Sequence, residues 1–318
     1  MKTNLKKIAI VVPVFNESKN LAELYRRLKL STSSLPNYLW DYIFVNDGSS
    51  DDSYDVVQGL IRSDKRCRLL DLSRNFGKEV ALTAGVFEAA SPDAVICIDA
   101  DLQHPPELIQ DLVEKWELGA EVVVTIRKKT VGQPMLRNLA SKLYHWIMSK
   151  FSTLEMIPQT TDFCLYGRDI IDAFKRVSER DRMFRAIMDW LGFRRATVEF
   201  VADARYEGSA SYSFRALFSL GLGSLLSYSI SPLRLTAYLG LVIALASGLL
   251  LSWILLSFVF STGQSYTPLA TFVVFNTFLM GLVLVAIGVV ALYIGKISGE
   301  VANRPLYVVR ERINFTSD

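Results

Sequence analysis

The chain has 318 residues, 51% of them hydrophobic, a formal net charge of +3 and a mean hydropathy of +0.26. That length suits two structural units of roughly 100 to 200 residues each, the hydropathy is high for a wholly soluble enzyme, and the weak positive balance carries no nucleic-acid footprint. Its three cysteines, Cys67, Cys97 and Cys164, form no CxxC pair, which excludes a disulfide framework and a thiolate zinc site and fits a reducing compartment.

The opening stretch MKTNLKKIAIVVPVFNES imitates a secretion signal, with basic residues ahead of an apolar run. The run is short, ends in Asn16 and Glu17 and lacks a small-residue cleavage site, so it reads as a first β-strand. Further apolar runs, YIFVND, RLLDLS, AVICIDA and EVVVTI, alternate with segments of helical spacing over Asp52–Ser63, Glu79–Ala90 and Pro106–Gly119. Ser49 to Asp52 offers helix-capping chemistry, and Pro105-Pro106 suits a first helical turn. The runs are too apolar for a sheet with one wet face. They predict an α/β domain whose mainly parallel sheet is covered on both sides and binds ligands at the carboxyl ends of its strands.

Polar clusters stand at three of those ends: Asn16 with Glu17, Asn46 with Asp47, and Asp99 with Asp101 and Gln103. Any one is ordinary turn chemistry, but three on one sheet edge point to a site. In an extended segment Asp99 and Asp101 project to the same side, and two carboxylates so placed repel unless a cation or a shared proton relieves them. Mg²⁺ or Mn²⁺ would do so, because both take oxygen ligands and commonly share them with substrate phosphates. Neither a Walker A sequence nor G-x-G-x-x-G is present.

Beyond about residue 131 the chain turns helix-rich and basic, with RNLASKLYHWIMSKF amphipathic and TTDFCLYG strand-like. Ser213–Ser231, apolar but rich in Ser and Gly, reads as an interfacial helix. No Asp, Glu, Lys or Arg lies between Arg234 and Lys296, and two apolar runs there, about 235–260 and 269–295, each exceed the ~20 residues a membrane-crossing helix needs. Arg215 and Arg234 precede them and Lys296, Arg304, Arg310 and Arg312 follow, so the positive-inside rule puts both flanks in the cytoplasm. The expected plan is a catalytic domain over 1–212, the interfacial segment 213–231, a two-helix membrane region 232–296 and a cytosolic tail 297–318.

The ordered succession VVPVFNE, VNDGSSD, LSRNFGKEVALTAG, DADLQHPPE, TTDFCLYGRD and RYEG, spread over most of residues 8–212, resembles the family 2 GT-A glycosyltransferases. Within them it is most similar to the polyprenyl-phosphate hexosyltransferases, which include dolichyl-phosphate mannose synthases and bacterial bactoprenol glucosyltransferases. The two apolar runs followed by GEVANRPLYVVRE favour the bactoprenol branch. The resemblance implies a GT-A nucleotide-sugar-binding domain and inverting transfer of a hexose to the phosphate of undecaprenyl phosphate, with Mg²⁺ or Mn²⁺, at the inner face of a bacterial membrane. UDP-glucose is the first donor expected, with GDP-mannose or another UDP-sugar as alternatives, and the enzyme is expected to be a homo-oligomer such as a tetramer.

The same resemblance implies roles residue by residue. Pro13, Phe15 and Glu17 would line the nucleotide pocket and Asp47 would hold the base. Asp99 and Ala100 would lie against the nucleotide-sugar, Asp101 and Gln103 would ligate the metal, and Asp162 would reach the reacting centre. Lys78, Arg127, Arg137 and Arg205 are the expected phosphate contacts. The chain departs from the family pattern in having Asn46 where Asp is frequent, and Ala210-Ser211 where a hydroxyl residue and a Lys are usual. His104 and His145 lack a partner at catalytic spacing and read as structural. A processive polysaccharide synthase would call for a Q-x-x-R-W motif, which is absent, and a non-enzymatic lipid carrier would leave the acidic clusters without a reason.

Overall fold

A computed structural model describes residues 5–128, 160–180, 182–201 and 304–315, together with individual positions of a helical stretch between 269 and 302. In chain order the elements are β1 (Lys6–Val14), α1 (Ser18–Ser33), β2 (Tyr38–Asn46), α2 (Ser53–Ser63), β3 (Cys67–Leu72), α3 (Lys78–Glu88) and β4 (Ala94–Cys97). A 3₁₀ turn at Pro106–Leu108 leads into α4 (Ile109–Glu117), followed by β5 (Val122–Lys128), β6 (Thr160–Gly167), α5 (Arg168–Lys175), α6 (Phe184–Trp190), β7 (Arg195–Val201) and β8 (Val309–Ile313). The strands form one sheet in the order β7-β5-β6-β4-β1-β2-β3-β8.

The β1–β2, β1–β4, β2–β3 and β5–β7 pairs are parallel, as the strand–helix alternation predicts. The β4–β6, β5–β6 and β3–β8 pairs are antiparallel. Because β6 runs against β4, its first residues lie on the same sheet edge as the carboxyl ends of β1, β2 and β4. Asp162 thereby reaches the edge on which Asn46, Asp47 and Asp99 stand.

Apolar side chains alternate between the two faces of β1, which is why the strand reads as a continuous apolar run. Ile8, Ile10 and Val12 pack with Leu21, Leu24 and Leu28 of α1 on one side. Ala9 and Val11 pack with Ala81, Leu82 and Val86 of α3 on the other. At Gly85 an added Cβ would sit 2.3 Å from Val11 Cγ1, so α3 lies against the sheet closer than any larger residue permits.

Two expectations change. The run AVICIDA leaves the sheet early: Ile98 N still donates to Val11 O at 3.1 Å, but the strand closes at Cys97 and Leu102 turns the chain with a φ of 61°. Asp99 and Asp101 therefore approach through a turn, not through strand alternation. The C-terminal segment is also more than a tail, since Val309–Ile313 hydrogen-bonds along β3 as the edge strand of the sheet.

The described parts of residues 5–201 and 304–315 form one compact unit, and the described positions between 269 and 302 belong to another. Among the described residues no helix is long and apolar enough to cross a membrane. The interfacial segment, the first apolar run, most of the second, and Arg137, His145, Arg205, Ala210 and Ser211 lie outside the described residues.

Candidate active site

The site is assembled at the carboxyl edge from four strand ends and the start of α3. Cys97, the last residue of β4, pairs with Cys164 of β6, and Asp99 and Asp162 each lie two residues from that pair, toward the site. Between them comes Lys78, the first residue of α3, with Nζ 2.6 Å from Asp99 Oδ1 and 2.5 Å from Asp162 Oδ2. Arg185 of α6 stands behind, its guanidinium 3.8 Å from Asp162 Oδ1 and donating to Thr160 O at 2.8 Å. Burial pushes the Asp162 carboxyl up, but Lys78 and Arg185 outweigh it and hold it below its usual range. Burial likewise pulls Lys78 down, and Asp99 and Asp162 more than restore its charge.

Glu79, next along α3, accepts the Phe184 N–H at 2.7 Å. It thus fastens the start of α6, which carries Arg185, to the start of α3, which carries Lys78. Burial raises the Glu79 carboxyl above its usual value.

On the other side of Asp99 lies a second group. One ligand atom each from Asp99, Asp101 and His104 lies within 4.8 Å of the other two. His104 is only 4% exposed, its ring packs against Phe163 and Phe200, and neither ring nitrogen has a hydrogen-bond partner. Buried polar atoms are rarely left so. Burial holds the imidazole below its usual pKa although Asp99 and Asp101 pull the other way, which favours the neutral, ligating form. The two carboxylates suit Mg²⁺ or Mn²⁺ and a neutral imidazole is a common metal ligand, so these residues fit a divalent ion. The sequence alone reads His104 as structural; the structure sets it beside Asp99 and Asp101, and its one signal in the sequence is a position three residues after Asp101. Gln103, expected as a ligand, has its side chain turned to Arg127, whose guanidinium donates to Gln103 Oε1 at 3.2 Å, while its N–H donates to Asp101 Oδ1 at 3.1 Å.

The β1 and β2 ends build the neighbouring wall. Pro13 and Ala100 are buried, whereas Phe15 is 47% exposed and available to a ligand. Asn16, at φ 57°, donates from its N–H to Ser49 Oγ at 3.1 Å and accepts the Ser50 N–H at 2.8 Å, joining the two loops. Glu17 donates from its N–H to Ser53 Oγ at 2.9 Å and accepts from Asn20 Nδ2 at 2.5 Å. Asp47 is 2% exposed, and its two oxygens accept the N–H groups of Phe76 and Gly77 at 2.7 and 2.9 Å. It shapes the loop that leads into Lys78.

Residues 9–174 match the model of the glycosyl transferase family 2. The chain belongs to that family. This glycosyltransferase is 36% identical over 306 residues to the SfII prophage-derived bactoprenol glucosyl transferase of Shigella flexneri, covering 96% of this chain and 98% of the relative. It is 35% identical over 304 residues to a Bacillus subtilis (strain 168) protein described as uncharacterized glycosyltransferase YkcC, covering 95% of this chain and 93% of the relative. Among solved structures it is similar to S. aureus TarS 1–349 in complex with UDP-GlcNAc, with a TM-score of 0.49 and 14% identity over 70% of this chain and 66% of the other. The family 2 glycosyltransferase thus carries its acids and its cations interleaved on a single sheet edge.

Proposed function

We propose that this enzyme transfers glucose, with inversion, from UDP-glucose to the phosphate of undecaprenyl phosphate. The observation that carries the proposal is the alternation of charge at the edge: Asp99, Asp101 and His104 on one side, and Lys78 and Arg185 clasping Asp162 on the other. Such a site suits a reaction in which two phosphate-bearing substrates must be held together. The relative named bactoprenol glucosyl transferase supports this choice of sugar and lipid.

Asp99, Asp101 and His104 would hold the divalent ion, which when bound neutralises charge on the departing diphosphate. Lys78 brings a cation to the place where donor and acceptor phosphates meet, and Arg127 adds a second from β5. A phosphate monoester has its second pKa near ~6, so the acceptor is already largely dianionic at neutral pH and hardly needs a base. Asp162 then serves to aim Lys78 and Arg185. We place the catalytic domain on the cytoplasmic face, with the apolar runs 235–260 and 269–295 as spans, from the basic residues that flank them.

The test is transfer itself. Purified full-length protein with Mg²⁺ or Mn²⁺, radiolabelled UDP-glucose and undecaprenyl phosphate is expected to yield one labelled lipid. Transfer only from another UDP- or GDP-hexose would replace the donor, and no transfer from any of them would end the proposal.

A further inference from the structure

β8 is the last described strand, yet its contacts lead to the loops at the carboxyl edge of the sheet, where the candidate site stands. Asp71 in β3 is 1% exposed. Its Oδ1 accepts from Asn46 Nδ2 at 2.7 Å, and its Oδ2 accepts from an Arg310 guanidinium nitrogen at 3.1 Å. The other end of the Asn46 amide is also used, since Asn46 Oδ1 accepts the Ser49 N–H at 3.2 Å. A carboxylate this deep is costly unless it is paired and hydrogen-bonded, so the Asn46 amide and the Arg310 cation are matched to it. An Asp at position 46 would set two carboxylates against each other.

Arg310 also reaches the next loop. Its second guanidinium nitrogen donates to Ser73 O at 2.7 Å, and the Ser73 N–H donates to Val308 O at 2.8 Å. The far end of that loop supplies the two N–H groups that Asp47 accepts. Gly48, at φ 67°, lies so near it that a Cβ would come within 2.5 Å of the Arg74 carbonyl carbon. The turn after β2 and the Ser73–Gly77 loop therefore form one body, with Arg310 fixed to both halves.

We propose that Arg310 is a positioning residue for the donor pocket. Through Asp71 and Asn46, and through Ser73, the C-terminal strand sets the shape of the two loops that receive the nucleotide, so donor affinity depends on a side chain 239 positions from its carboxylate partner. The inference rests on the reading of Asp47 as a nucleotide-binding residue, with the Ser73–Gly77 loop that its oxygens hold.

The experiment titrates UDP in the presence of Mg²⁺ into full-length wild type, Arg310→Met, Arg310→Lys, the double variant Arg310→Met with Asp71→Asn, and Arg312→Gln. Arg310→Met is expected to weaken UDP binding and raise the donor KM by roughly 3- to 30-fold, the usual scale for a coupled residue outside a site, with the lipid KM unchanged. Arg310→Lys keeps a cation for Asp71, and the double variant removes the stranded charge, so each recovers part of the loss; they carry the test if Arg310→Met fails to fold. Arg312→Gln breaks only the exposed bridge to Glu88 from the same strand and leaves UDP affinity as in wild type. Wild-type affinity in Arg310→Met, or an equal loss in Arg312→Gln, overturns the inference while leaving the donor pocket intact. A wild type that binds GDP and not UDP is read by the same comparison with GDP. One that binds neither overturns the donor-pocket reading and the inference together.

Discussion

Lys78 sits between two carboxylates that would otherwise repel, so its removal harms the site twice. Lys78→Met withdraws a cation from the phosphates and leaves Asp99 and Asp162 facing each other. We expect kcat to fall by at least about 100-fold, the scale for losing one preorganised electrostatic group, with the melting temperature also lowered. His104→Ala tests the ion site separately. Manganese titration should show affinity reduced by at least the roughly 10- to 100-fold that even an outer-shell partner costs, while a purely structural histidine would change the melt and spare the metal. Asp99 and Asp101 were legible in the sequence because they stand two apart at the end of an apolar run. Glu79 and Arg185 were not, because each acts across the fold: Glu79 binds Phe184, 105 positions away, and nothing local to either residue announces the partner.

At the scale of elements, α3 packs closely on β1 at Gly85. Gly85→Ala would drive a methyl to 2.3 Å from Val11 Cγ1. Overpacking of this kind costs about 1 to 3 kcal/mol, and a urea melt should show it directly. Because α3 also begins with Lys78, the same substitution should reduce activity beyond the loss of folded protein. The strands were mostly readable from their apolar runs, and the helices α2, α3 and α4 from their spacing. The end of β4 was misjudged because Ile98 is as apolar as a strand residue and keeps one ladder bond to Val11, while the turn at Leu102 depends on a left-handed backbone that its side chain does not advertise. β8 was hidden for another reason: VRERI carries three charges in five residues, which is normal for an edge strand but in sequence looks like any polar tail.

For the molecule as a whole, acid stability follows from carboxylates held by cations. Hydrogen bonds from the Arg66 guanidinium, with help from Tyr25, keep the Asp64 carboxyl well below the usual range against the effect of burial. Since its folded pKa lies below the unfolded value of about 3.9, its contribution is complete above that pH and is lost as pH falls through the folded pKa. Asp64→Asn should therefore be less stable than wild type at pH 7, and the gap in urea midpoint should narrow steadily as pH drops below about 4. A constant gap down to the acid limit would mean that packing, not charge, accounts for the difference.

The pairing of β3 with β8 has a consequence for how the protein folds. Leu69 pairs with Ile313, 244 positions later in the chain. During folding the N–H and C=O groups along that side of β3 stay open until Val309–Ile313 arrives. Open strand edges pair with whatever strand is near, and closures this distant in sequence are slow. A chain with Val309–Ile313 detached would therefore display a free β3 edge, and that segment is the cover that keeps β3 from pairing with other strands.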